Sequence, residues 1–223
     1  MTQFRDSLIS LDDTLYYHCI SRCVRCAFLC GEDSFSGKSF EHRRQWILDR
    51  IRELSDVFAI EVCAYSIMSN HYHLVLYVNK EEIDHCSDLE VCARWNHFYS
   101  LPMVVERWMN DFPSSESETK IAFEIIEEWR SRLTSISWFM RGLNEHIARK
   151  SNKEDDCKGR FLEGRFKSQA LLDEKALFSC MAYVDLNPIR AKMAESIEIS
   201  VFTFVHERVK FLPSNVFSST NSN

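Results

Sequence analysis

Two runs, Val57-Phe-Ala-Ile-Glu-Val-Cys-Ala-Tyr-Ser-Ile-Met68 and His71-Tyr-His-Leu-Val-Leu-Tyr-Val78, joined by Ser69-Asn70, decide the fold. Both are rich in β-branched and aromatic residues, and a two-residue polar link between such runs predicts an antiparallel hairpin over 57–68 and 71–78. Towards the N-terminus, Leu15 to Ser21 has the same composition and predicts a first strand, followed by the polar stretch Gly31 to Ser39. Phe40, Ile47, Ile51 and Leu54 then recur at helical spacing, so a helix is expected over 40–54, with Ser39 as its cap and Arg43, Arg44, Arg50 and Arg52 forming a basic outer face. The order is strand, helix, hairpin.

Beyond the hairpin, 82–99 reads as a helix, and 101–119, with Pro102, Pro113 and several serines, as a loop or insertion. Ile125, Trp129, Leu133, Ile136, Phe139, Met140, Leu143 and Ile147 space one or two helices over 121–149, and the polar stretch 150–158 breaks them. Residues 159–172 read as strand or extended chain. Asp173 is placed to cap a helix over 173–186 that ends near Pro188. A Ser/Asn-rich tail closes the chain.

Of 223 residues 45% are apolar, enough for a real core, and only 5 Gly and 4 Pro argue against a linker-like or collagenous chain. No run of about 18 uncharged apolar residues is present to span a bilayer, so no membrane partner is expected. Residues 1–15 lack a basic stretch followed by an apolar one, and nine cysteines are scattered without a framework. Both point to a reducing, cytoplasmic setting. The net charge of −6 is uneven: residues 80–128 hold 4 Lys/Arg against 12 Asp/Glu, leaving 23 basic against 21 acidic residues elsewhere. Within that mildly basic frame, residues 149–192 carry Arg160, Arg165 and Lys167 around Phe161 and Phe166. Guanidinium and ammonium groups clamp phosphates while exposed aromatics stack bases, so this is a candidate strand-binding surface; the alternative is that both phenylalanines belong to the core.

On a strand, His71 and His73 face the same side about 7 Å apart at Cα, which lets two imidazoles converge on one cation. The alternative is a pair of partly exposed strand histidines. Tyr183 and Asn187 lie four residues apart at the end of the last predicted helix, hence on one face. A tyrosine with a pKa near 10 is a poor nucleophile unless an adjacent cation polarises its target. That requirement links the two motifs, although Tyr183 alone reads first as a core or helix-packing tyrosine and composition does not select it from the seven tyrosines present. Cys19, Cys23, Cys26 and Cys30 tempt a zinc reading, but their spacing lacks two separated knuckles and buried thiols are the simpler account.

Four ordered segments, Tyr65-Ser-Ile-Met-Ser-Asn-His-Tyr-His-Leu-Val75, Arg141-Gly-Leu-Asn144, Gly164-Arg-Phe-Lys-Ser168 and Tyr183-Val-Asp-Leu-Asn-Pro-Ile-Arg-Ala191, resemble the single-tyrosine HUH transposases, most of all the REP-associated tyrosine transposases. The resemblance runs from about Leu15 to Met193. It implies an α+β fold, a ferredoxin-like antiparallel sheet with helices packed on it, here with an acidic helical insertion at about 80–130. One catalytic domain over 1–200 and a C-terminal extension over 201–223 are the implied organisation.

The same resemblance implies an enzyme that nicks and rejoins single-stranded or hairpin DNA at palindromic repeats through a 5′-phosphotyrosine, as a monomer or homodimer. Tyr183 matches the nucleophile, His71, His73 and Asn187 match the metal site for Mg²⁺ or Mn²⁺, and Arg160, Arg165, Lys167 and Arg190 are assigned to DNA. Tyr72 stands where the family carries a bulky hydrophobe between the histidines, and its ring should pack on the opposite sheet face. A non-catalytic hairpin-DNA-binding regulator and a water-activating metal phosphoesterase are the competing readings. The first would bind without cutting, and the second would leave no protein–DNA adduct.

Overall fold

In strand β1 (Tyr16–Arg22), Tyr17, Cys19 and Ser21 are buried on one side, while Tyr16, Ile20, Arg22 and the also buried His18 take the other. The computed structural model describes residues 9–24, 29–33, 37–112, 115–191, 193 and 203. After β1 come α1 (His42–Val57), the hairpin strands β2 (Ile60–Ile67) and β3 (His71–Val78), and helices α2 (Lys80–Asp84), α3 (Asp88–Asn96), α4 (Met103–Met109), α5 (Glu116–Leu133) and α6 (Ile136–Glu154). Strand β4 (Lys167–Ala170), α7 (Glu174–Asp185) and the short α8 (Asn187–Arg190) complete the described order. The four strands form one antiparallel sheet in the order β2-β3-β1-β4, so the expected α+β, ferredoxin-like fold is present. Strand β4 pairs with β1 through Tyr17↔Ala170, His18↔Gln169, Cys19↔Ser168 and Ile20↔Lys167.

The chain divides into two compact units, one of residues 1–44, 62–76 and 160–223, the other of residues 45–61 and 77–159. In the first, α7 lays Ala176, Leu177, Cys180, Met181 and Val184 against Ala64, Val75 and Leu171, with Tyr16 and Cys63 at the margin. That spacing is one helical face, and Asp173 starts the helix by accepting the Ala176 amide at 2.7 Å. Tyr72 is fully buried on the opposite sheet face from the histidines, as its parity requires.

The second unit is helical. Trp95 stacks on Trp129 at 5.5 Å and on Tyr99 at 4.4 Å and meets Trp138 edge-on at 5.6 Å. Arg130 ties α5 to the end of α2, donating to the Ile83 and Cys86 carbonyls at 2.6 and 2.8 Å and to Asp88 at 2.7 Å. Gly142 lies so near α1 that a Cβ there would sit 3.0 Å from Leu54 Cδ2.

Several boundaries differ from expectation, each for a local reason. The helix expected over 82–99 is two helices, because Ser87 and Glu90 form a reciprocal capping box that starts α3 afresh. The loop expected over 101–119 contains α4, with Pro102 just before its first turn, where a missing N–H costs nothing, and with Val105 buried. Helix α1 runs to Val57, which moves the strand start to Ile60; the Ala59 amide is taken by the Leu133 carbonyl. Helix α6 continues into the polar stretch as far as Glu154.

The basic outer face expected on α1 is not there. Arg43 is 1% exposed, its guanidinium 4.2 Å over the Phe40 ring and 5.7 Å from that of Phe161. Arg44 is buried, donating to the Ile67 carbonyl at 2.7 Å and pairing with Glu41. Arg50 is turned onto Phe98 and Glu53, which leaves Arg52 exposed. Of the four cysteines weighed for zinc, Cys26 lies outside the described residues, and burial pushes the Cys23 and Cys30 thiols up to about 12. Of the C-terminal extension only Thr203 is described; it bridges Ser66. No helix among the described residues is long and apolar enough to cross a membrane.

Candidate active site

The face of β1 that carries Tyr16 also carries His18, Ile20 and Arg22, and the adjacent strand β3 sends His71 and His73 to the same face. Helix α7 covers the apolar end of this face and brings Tyr183, next to the buried Val184, over the polar end. A cleft of about 270 Å³ results, lined by Ile20, Arg22, His71, His73, Glu163, Arg165, Lys167 and Tyr183. Lys167 reaches it because β4 pairs Lys167 with Ile20. Three cationic groups against one carboxylate make the cleft positive within a chain that is acidic as a whole.

The rings are close. Tyr183 meets His73 edge-on at 5.8 Å between centroids and His18 at 6.4 Å, and His71 meets His73 at 4.9 Å. Tyr183 is 42% exposed, so its ring is open to a ligand, and the Arg190 guanidinium lies 5.5 Å from its centroid. All three imidazoles are held below the usual histidine range. Burial lowers His18; burial and then the Arg22 charge lower His71. Burial, followed by His18 and His71, takes His73 down to about 3. At neutral pH the three are therefore uncharged, the form in which imidazole donates a lone pair to a metal ion.

Each of the two motif histidines already has its Nδ1 engaged. His71 Nδ1 lies 2.6 Å from Asn70 Oδ1, and His73 Nδ1 lies 2.9 Å from His18 Nε2. Nε2 of His73, a residue only 3% exposed, is buried with no hydrogen-bond partner among the described residues. A buried ring nitrogen left open beside a second imidazole fits a cation ligand. Asn187 follows Tyr183 by one turn; its Nδ2, a hydrogen donor rather than a metal ligand, has no acceptor among the described residues. Among the described residues no group of three His, Cys, Asp or Glu side chains is arranged to hold a metal.

Thus His71, His73, Tyr183, Arg165 and Lys167 share one cleft, with Arg190 against the Tyr183 ring and Asn187 one turn beyond it. Arg160 is exposed and does not line the cleft. Phe161 and Phe166 are buried, which removes them from any base-stacking surface. His18, Arg22 and Glu163 were not anticipated. The parity of Tyr16-Tyr17-His18 puts His18 on one face, but nothing local says that β1 neighbours β3.

No protein-family model matches this chain, and no curated protein matches it. Among solved structures it is similar to a REP-associated tyrosine transposase bound to a REP hairpin, at 12% identity and a TM-score of 0.55, over 96% of this chain and 89% of that one. The likeness is one of fold, and it spans both chains nearly end to end.

Proposed function

We propose that this protein is a transposase-type DNA nickase and strand transferase that acts on single-stranded or hairpin DNA through a 5′-phosphotyrosine on Tyr183. The observation that carries the reading is the Tyr183 ring standing edge-on to His73 at 5.8 Å in the same cleft as Arg165 and Lys167. The hairpin held by the structural neighbour supports the substrate class. In the reaction the Tyr183 oxygen attacks phosphorus in line, a phenol–phosphate bond forms and the bond to the 3′ oxygen breaks. The phenolic proton passes to solvent and the 3′ oxygen leaves as a hydroxyl. Rejoining is the reverse, with a 3′-hydroxyl attacking the phosphotyrosine, so the bond energy is conserved without a nucleotide.

Arg22, Arg165 and Lys167 hold the phosphates that flank the cut, and Arg190 fixes the Tyr183 ring by its cation–π contact. Arg160 lies outside the cleft and would contact more distant backbone. His71, His73 and Asn187 would hold Mg²⁺ or Mn²⁺, and two imidazoles make Mn²⁺ the better match. Such an ion supplies charge withdrawal from the scissile phosphate.

The test mixes protein, Mn²⁺ and a labelled single-stranded hairpin and looks for an adduct that survives denaturation. The expected result is an adduct with the unaltered protein that is lost in Tyr183→Phe and on chelation, while hairpin binding by Tyr183→Phe persists. An adduct that survives in Tyr183→Phe removes the nucleophile assignment. Tight hairpin binding with no adduct under any metal makes the protein a non-catalytic binder.

A further inference from the structure

The contact between His18 Nε2 and His73 Nδ1 at 2.9 Å, with the rings within 14° of parallel, admits two proton arrangements. In one, His18 Nε2 carries the proton and donates to His73 Nδ1. A neutral His73 then carries its own proton on Nε2, the atom that is buried without a partner. In the other, His73 Nδ1 carries the proton and donates to His18 Nε2, which leaves His73 Nε2 as a bare lone pair. A buried N–H with no acceptor is among the rarest and costliest faults in a folded protein, whereas an unfilled acceptor is better tolerated and is what a cation requires. His71 is set the same way: Asn70 Oδ1 accepts from its Nδ1 at 2.6 Å, and its Nε2 is left as the lone pair.

We propose that His18 is a positioning residue for the cleft: its Nε2 accepts the Nδ1 proton of His73 and so holds His73 in the tautomer whose Nε2 can ligate a divalent cation. This rests on the reading of His71 and His73 as cation ligands. The acceptor is an imidazole from β1, where such ligands more often lean on a carboxylate or a backbone carbonyl. His18 does not line the cleft. It acts through the ring of His73, and the strand order β3-β1 is what brings the two together.

Two measurements test it. In the full chain labelled with ¹⁵N-histidine and free of metal, long-range ¹H–¹⁵N correlation reports which ring nitrogen of His73 is protonated. The expected result is a proton on Nδ1 and none on Nε2; a proton on Nε2 overturns the proposal, whatever becomes of any variant. Mn²⁺ uptake, read by electron paramagnetic resonance, is then compared across the unaltered protein, His73→Ala, His18→Phe and His18→Gln. Phenylalanine keeps the ring volume without an acceptor, while glutamine places a carbonyl oxygen near the position of Nε2. His18→Phe should weaken Mn²⁺ binding about 10- to 100-fold, with His18→Gln restoring most of it. If uptake depends on His73 but is equal in His18→Phe, the role of His18 falls alone. If the unaltered protein takes up no Mn²⁺, or His73→Ala leaves uptake unchanged, the cation reading falls and takes His18 with it.

Discussion

Arg130 in the second unit and His73 in the first are both largely buried, nitrogen-bearing side chains, and they end differently. Arg130 places its three nitrogens on two carbonyls and two carboxylates, those of Asp88 and Glu127, and closes the corner between α2, α3 and α5. His73 uses one nitrogen on His18 and keeps the other empty in a cleft. The buried side-chain atoms of the second unit that lack a partner are, among the described residues, two serine hydroxyls, Ser55 and Ser151. In the first unit His73 Nε2, in the cleft, has no partner among the described residues. The difference teaches that the helical corner is closed by its own groups, while the cleft keeps a buried ring nitrogen that the described residues leave unpaired.

If that openness is confined to the cleft, other buried groups of the first unit must be chemically quiet. The Cys23 and Cys30 thiols, pushed up to about 12 by burial, stay protonated across the neutral range and become thiolates only in strong alkali. At pH 8 they should alkylate on the order of a thousandfold more slowly than an unhindered cysteine, with the exposed Cys157 labelling first among the described cysteines in a mass-spectrometric time course. Rapid labelling of Cys23 or Cys30 would show that openness is general in that unit.

The next contrast is in stability. Trp95→Ala removes the centre of the aromatic stack and should cost about 3–5 kcal/mol in denaturant unfolding. Tyr183→Phe, at a half-exposed ring, should change stability by less than about 0.5 kcal/mol. Equal costs would erase the distinction between the two regions. Arg130→Met keeps the apolar stem but strands the Ile83 and Cys86 carbonyls and Asp88, for a loss of about 1–3 kcal/mol. The smallest effect belongs to Arg149→Ala, since its pair with Glu145 lies in solvent; the midpoint should barely move, within about 0.5 kcal/mol. A larger shift there would mean that exposed pairs also support the helical unit.

Strand, helix and hairpin were legible because period-2 and period-3.6 patterns are local, and Asp173 and Pro188 mark the ends of α7 by their own chemistry. The pairing of His71 with His73 was legible for the same reason. What joins separate segments was not. Arg43 reads as a surface charge on any helical wheel, and its burial depends on Phe161, more than a hundred residues away. The alternation of Phe161 and Phe166 with charged neighbours suited a stacking surface as well as a core, and only packing separates the two. His18 carries no motif of its own, and its role follows from which strand lies beside β3.

The register that sets Tyr17 against Ala170 has a consequence for how this molecule comes into being. The strand made first stays without one of its neighbours until about 150 further residues have been synthesised, and every residue from 77 to 159 emerges in the meantime. Tyr183, on α7, leaves the ribosome later still. A nascent chain, or one cut short before α7, therefore lacks Tyr183 and has no finished cleft.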